Sequence, residues 1–176
     1  MIVLYLLVYS GLMLSAEQYE SLGKVTLTFN HLELTIQSII ASYLGHPESE
    51  MAQAVAMEGM FRQKATRLDH MIKAFQERYP DRGPEADSVR QLLKAAIRLA
   101  ERRNAYVHAL TIHNYKENVT KLLIKGIETA CDRRELEQLD SDMQFVAFQL
   151  GEAAIELLPK KTPTKPVFGE SHRPDG

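Results

Sequence analysis

Seven apolar residues, Leu22, Val25, Phe29, Leu32, Ile36, Ile39 and Tyr43, follow one another at spacings of three and four. Side chains at those spacings share one face of an α-helix. The stripe therefore commits about 28 residues to one long helix with a single buried face. Ser15, with Gln18 three residues on, is a capping-box pattern at its start, and Gly45-His46-Pro47 stops it. A helix of that length must bury its stripe against other elements, and the rest of the chain offers mostly helices. Leu136, Leu139, Met143, Val146, Leu150, Ala153 and Leu157 form a second stripe, with an average spacing of about 3.5 residues, the period of a helix packed on helices.

Between the stripes, residues 48–78 read as helical, with Met51, Ala54, Val55, Phe61, Leu68, Met71, Ile72 and Phe75 as apolar positions and Gly59 as a break. Met51, Met57, Met60 and Met71 at helical spacing are expected to fill the core. The cluster "YPDRGP" (79–84) is a turn, and Pro84 suits the first turn of the next helix, where its missing N–H is not needed. That helix carries Val89, Leu92, Leu93, Ala96, Ile97 and Ala100 and runs into "ERRNAYVHAL" (101–110). In "NVTKLLIKG", Asn118 to Thr120 break the helical pattern and Gly126 closes it, which allows a short extended segment around 118–126. No convincing strand pair, Gly-rich phosphate loop or internal repeat is visible. The expected fold is all-α: a bundle of four to five helices over residues 15–158.

The flanks differ in kind. Residues 1–14 are uncharged and apolar, shorter than the roughly 20 residues of a membrane span and without a basic lead-in. Three readings stay open: a start-site artefact ahead of Met13, an added element on the domain, or an anchor that would make the chain a membrane-tethered regulator. The first two are favoured over any membrane association. Residues 159–176 hold four prolines and no apolar periodicity, the mark of a disordered tail.

A chain of 176 residues is one ordinary domain, and its net charge of −2 carries no global nucleic-acid signature. A single cysteine, Cys131, excludes a disulfide framework, and the six histidines show no metal-ligand spacing. No metal or cofactor is expected, and a reducing, cytoplasmic setting fits best.

The end of the third long helix is chemically unusual. Arg90, Lys94, Arg98 and Arg102 recur every four residues, so each turns only about 40° from the last and together they form a slanting basic ridge. Such charges are commonly a solvated face, but only Glu101 is acidic between 90 and 103, and a single-sign ridge suits a phosphate backbone. Asn104 and His108 share a face, while Arg103 and His108 lie about 140° apart on an ideal helix. Imidazole exchanges protons near neutral pH, and guanidinium grips phosphate. Read from spacing alone, the set fits either a helix-end histidine bonded to its neighbours or the equipment for metal-free RNA cleavage.

"RNAYVH" (103–108) resembles the R-(polar)-x-x-x-H motif of the HEPN superfamily, small all-α domains that include metal-independent endoribonucleases of toxin–antitoxin, abortive-infection and CRISPR defence systems. The likeness extends to helix order over residues 15–158, to the small residue Ala109 after the histidine, and to an acidic residue on the first helix, Glu33 in "FNHLELTI". The resemblance implies His108 and Arg103 as catalytic residues and Asn104 as the polar residue that positions them. Arg102 also lies within the family's permitted spacing; Arg103 is preferred because Asn104 follows it. The resemblance further implies a homodimer with facing motifs, an RNA substrate and, for a toxin, an antitoxin of nucleotidyltransferase type. Many family members are instead non-catalytic binding or scaffold modules. Glu33 and Tyr106 are accessory candidates; His31 and His113 are weaker ones. "NVT" at 118 fits a glycosylation sequon without other support.

Overall fold

The computed structural model describes residues 14–45, 48–114 and 119–158, with residues 110–114, 119, 120 and 130 described by their backbone alone. Residues 1–13 of the 1–14 extension, the 159–176 tail and Asn118 of the sequon lie outside the described residues; Leu14 is described and buried.

Helix α1 spans Ala16–Tyr43, and its N-terminus is built as the sequence indicates. Ser15 Oγ accepts from the Gln18 amide at 3.2 Å, and Gln18 Oε1 accepts from the Ser15 amide at 2.8 Å. Gln18 Nε2 also donates to the Cys131 carbonyl at 2.7 Å, tying this end to a distant part of the chain. The predicted stripe is the buried face: Val25, Leu32 and Ile36 are fully enclosed.

Gly59 separates α2 (Glu50–Met57) from α3 (Phe61–Arg78). Its φ of +87° is left-handed, and a Cβ there would sit 2.6 Å from Gln63 Oε1. That oxygen accepts from the Met60 amide at 2.8 Å, so the break and the start of α3 are one device. The core of α2 differs from expectation. Met51, Met57 and Met60 are exposed, as are Ala54 and Val55, and of the four methionines only Met71 packs on the core. Ala52 and Ala56 face inward instead. Being four apart, these two small side chains let a short helix lie close on the bundle.

A 3-10 turn (Pro80–Arg82) leads into α4 (Gly83–Val107), with Pro84 in its first turn as expected. Arg82 donates to the Glu156 carbonyl at 2.6 Å at the end of the last helix, where the backbone dipole favours a cation.

The segment after α4 holds more than a short extended stretch. Strands β1 (Leu110–Asn114), β2 (Val119–Ile124) and β3 (Ile127–Ala130) form an antiparallel meander in sequence order. Ile124 pairs with Ile127 across the two-residue turn Lys125-Gly126, where φ is +52° and +83°. Positive φ at both central residues is the requirement of a type I′ hairpin. Glycine meets it freely; a lysine there costs on the order of 1–2 kcal/mol. Leu122 of β2 is buried in the core; enclosing a leucine contributes about 1.5–3 kcal/mol.

Helix α5 (Arg133–Leu157) is capped by Asp132, whose carboxylate accepts from the Arg134 amide at 2.9 Å. Its stripe is the expected one except at the end, where Ala154 rather than Ala153 is buried. Helices α1 and α5 run side by side in the same direction: Arg133 pairs with Glu17, Thr28 donates to Asp140, and Gly151 lies beside Thr35. The protein is thus a helical bundle with a small meander. The core has two parts. One lies among α1–α5 around Ile36, Ile40, Leu68, Ile72, Leu93 and Leu150. The other, around Val25, Leu32, Leu99, Leu136 and Met143, receives Leu122 from the sheet. Among the described residues, no helix is long and apolar enough to cross a membrane.

Candidate functional site

The last two turns of α4 send their polar side chains in different directions. Arg103 turns toward α1. Its guanidinium lies over the Phe29 ring, 4.6 Å from the centroid, an attractive cation–π arrangement. Phe61 of α3 packs on the same ring at 5.0 Å. Arg103 Nη1 donates to Asn104 Oδ1 at 3.0 Å, whereas Nε is buried without a hydrogen-bond partner. Burial disfavours the charged form and lowers the Arg103 pKa from its ordinary value; the Glu33 carboxylate acts the other way.

Glu33 belongs to this same region but is engaged elsewhere. Its carboxylate accepts from Lys64 Nζ at 2.7 Å, and the Lys64 side chain is only 6% exposed. A buried ammonium needs such a partner, because desolvation costs several kcal/mol per ion. Lys64 was not singled out from the sequence. The signal was present: Lys64 sits between Phe61 and Leu68 at spacings of three and four, a charge on the buried stripe.

His108 is on another side. It is the C-terminal cap of α4, with φ −100° and ψ 9°, and its amide donates to the Asn104 carbonyl at 3.0 Å. The imidazole is exposed and lines an open groove of about 500 Å³ with Glu101, Asn104, Ala105, Ala109, Leu123, Ile124 and Lys125. One wall is the end of α4; the other is the β2–β3 hairpin. Arg103 is not among the lining residues. Asn104 joins the two regions: its side chain lines the groove and its oxygen holds Arg103. One chain therefore brings His108 and Asn104 together and leaves Arg103 out.

The remaining candidates are dispersed. Tyr106 is half-buried and donates to Glu135 Oε2 of α5 at 2.5 Å. Burial, and then the bonded carboxylate, push its pKa up to about 12. Arg102, the alternative to Arg103, faces Asp142 of α5 at 3.7 Å. Arg90 pairs with Asp69 of α3 at 2.8 Å. The ridge thus crosses α4 from the α3 side to the α5 side with both ends matched by acids. Lys94 and Arg98, in the middle, are exposed and make no ion pair among the described residues. His31 lines a different groove, between α1 and α5, with Leu34 and Ile155. His113 falls on β1, paired in register with Thr120. Among the described residues no cluster of three or more His, Cys, Asp or Glu side chains is arranged to hold a metal ion.

Compared with known proteins, the chain matches no family model, no curated protein and no solved structure.

Proposed function

We propose that the chain is a HEPN-type, metal-independent endoribonuclease that acts as a homodimer, a cytoplasmic toxin or phage-defence component whose antitoxin would be of nucleotidyltransferase type. The observation that carries this reading is the groove at the end of α4. It presents an exposed imidazole, a carboxamide, an ammonium and the Glu101 carboxylate together beside apolar walls. In the proposed reaction His108 takes the proton of a ribose 2′-OH. The 2′-oxygen bonds to phosphorus, the bond from phosphorus to the 5′-oxygen breaks, and an imidazolium protonates the leaving oxygen. The products are a 2′,3′-cyclic phosphate and a 5′-hydroxyl. A second copy facing the first would supply the second imidazole and the Arg103 that a single groove lacks. Lys94 and Arg98 would guide the phosphate backbone by charge, with the paired Arg90 and Arg102 at the ends of the path.

The seating of Arg103 on Phe29 favours a second reading, a non-catalytic interaction or RNA-binding module in which the motif organises the helices. One experiment separates them. Purified protein is incubated with varied RNAs in excess EDTA, with its mass followed by light scattering. The endoribonuclease reading expects cyclic-phosphate ends, no cleavage of DNA, about twice the chain mass, and a loss of roughly 10²–10⁴ in rate for His108→Ala. Wild type that equals His108→Ala on every substrate supports the module.

A further inference from the structure

We propose that Lys125 is the phosphate-binding cation of the His108 groove, the part that Arg103 does not play within one chain. The inference rests on the groove being an RNA site and adds a residue that the motif does not contain. Four observations converge on it. Lys125 lines the same groove as His108 and Asn104, from the opposite wall, so a phosphodiester lying between the walls meets both. It is exposed and makes no ion pair among the described residues, whereas Lys121, on the same hairpin, is matched with Glu128 at 3.3 Å. The groove's carboxylate, Glu101, has Arg62 at 3.7 Å as a partner, so Lys125 is left as the uncompensated cation of the lining set. Finally, Lys125 holds φ +52° at a turn position that asparagine, aspartate or glycine fills with less strain. Strained backbone concentrates at functional sites, and this position is a strained one.

The surroundings suit that use. Ala105, Ala109, Leu123 and Ile124 give the groove small and apolar walls. These walls bring no charge of their own, so the lining charges are the Lys125 ammonium and the Glu101 carboxylate, the latter facing Arg62. Lysine is a compact charge on a flexible stem, suited to reaching from a turn tip across an open groove.

The test uses the full chain and a short 2′-O-methyl oligoribonucleotide, which presents phosphodiesters but cannot be cut. Lys125→Asn removes the charge and suits the positive φ. Lys73→Ala removes a charge from the exposed face of α3, outside the groove. Lys125→Asn should fold with an equal or higher thermal midpoint, bind the oligonucleotide about tenfold more weakly, and lower the slope of log affinity against log salt by about 0.7. Lys73→Ala should bind as wild type does. The proposal is overturned if Lys125→Asn binds as tightly as Lys73→Ala, or if wild type does not bind the oligonucleotide. The cleavage reading fails by a different result: wild type binds, Lys125→Asn does not, and no RNA is cut.

Discussion

Arg103 and His108 stand five residues apart at the end of one helix, yet their surroundings have little in common. Arg103 is pressed on an aromatic ring, with one guanidinium nitrogen buried and unpartnered and a buried lysine–glutamate pair close by. His108 is exposed in an open groove whose far wall comes from a hairpin. The first region is held by packing and charge compensation. In the second, side chains remain free to meet a ligand. Neighbours in a motif need not share a physical role: the helix period turns them apart, and whichever element packs on each face decides what the residue does.

The largest test of this contrast is stability. Glu33→Ala would leave Lys64 as a buried ammonium without its carboxylate. Removing one partner of a buried pair costs about 3–5 kcal/mol, and the Glu33 side chain, 24% exposed, places the loss at the lower end. Urea unfolding should show it, and adding Lys64→Met should recover most of it, because an apolar side chain of similar length needs no counter-ion. His108→Ala should shift the same curve by less than about 0.5 kcal/mol, as exposed substitutions do. Equal losses at the two sites would erase the distinction between the regions.

Most of the architecture was legible in the sequence. The α1 stripe, its capping box, the break at Gly59 and the start of α4 at Pro84 all follow from local rules that tertiary contacts reinforce. The meander was not. Its strands are short, and Lys125-Gly126 does not advertise a hairpin as Asn-Gly would. The inward face of α2 was misread because methionines outweigh alanines on any hydrophobic scale, while close helix contact prefers the alanines. At the candidate site, the angle between Arg103 and His108 was computable in advance. The surroundings of each were not, since Phe29 under Arg103 and Lys125 across the groove from His108, like Lys64 at Glu33 and Glu135 at Tyr106, come from other parts of the chain that only the fold brings near.

A medium effect sharpens the comparison by isolating the third direction at the end of α4. Tyr106 binds Glu135 through its hydroxyl, and its pKa rises from 10.0 to about 12. A raised phenol pKa means that the folded state favours the neutral form. The resulting stabilisation is present below pH 10 and is lost as pH climbs toward 12. Tyr43, whose buried hydroxyl has no hydrogen-bond partner, is also pushed up to about 12 by burial and adds to the same fall. Tyr106→Phe should lower stability by about 1 kcal/mol at neutral pH, the net worth of a typical hydrogen bond. It should also reduce, without abolishing, the decline of the thermal midpoint between pH 10 and 12; adding Tyr43→Phe should flatten it further. An unchanged decline in the double variant would show that neither phenol is linked to folding.

A small net effect on stability, the balance of two opposed contributions, carries the most information about Arg103. Methionine has a similar length and can lie on Phe29 as the arginine does. Arg103→Met gives up the cation–π contact and the bond to Asn104, together about 1–2 kcal/mol. It also relieves the desolvation of the guanidinium and removes a buried nitrogen that has no partner, a gain of the same order. The two nearly cancel, so urea unfolding should place Arg103→Met within about 1 kcal/mol of wild type. If cleavage falls while the unfolding curve stays put, the seat of Arg103 serves chemistry rather than stability, and a second copy of the chain would complete the site. If the curve falls by the amount expected for Glu33→Ala, Arg103 belongs wholly to the packed region, and His108 with Lys125 must account for whatever the groove does.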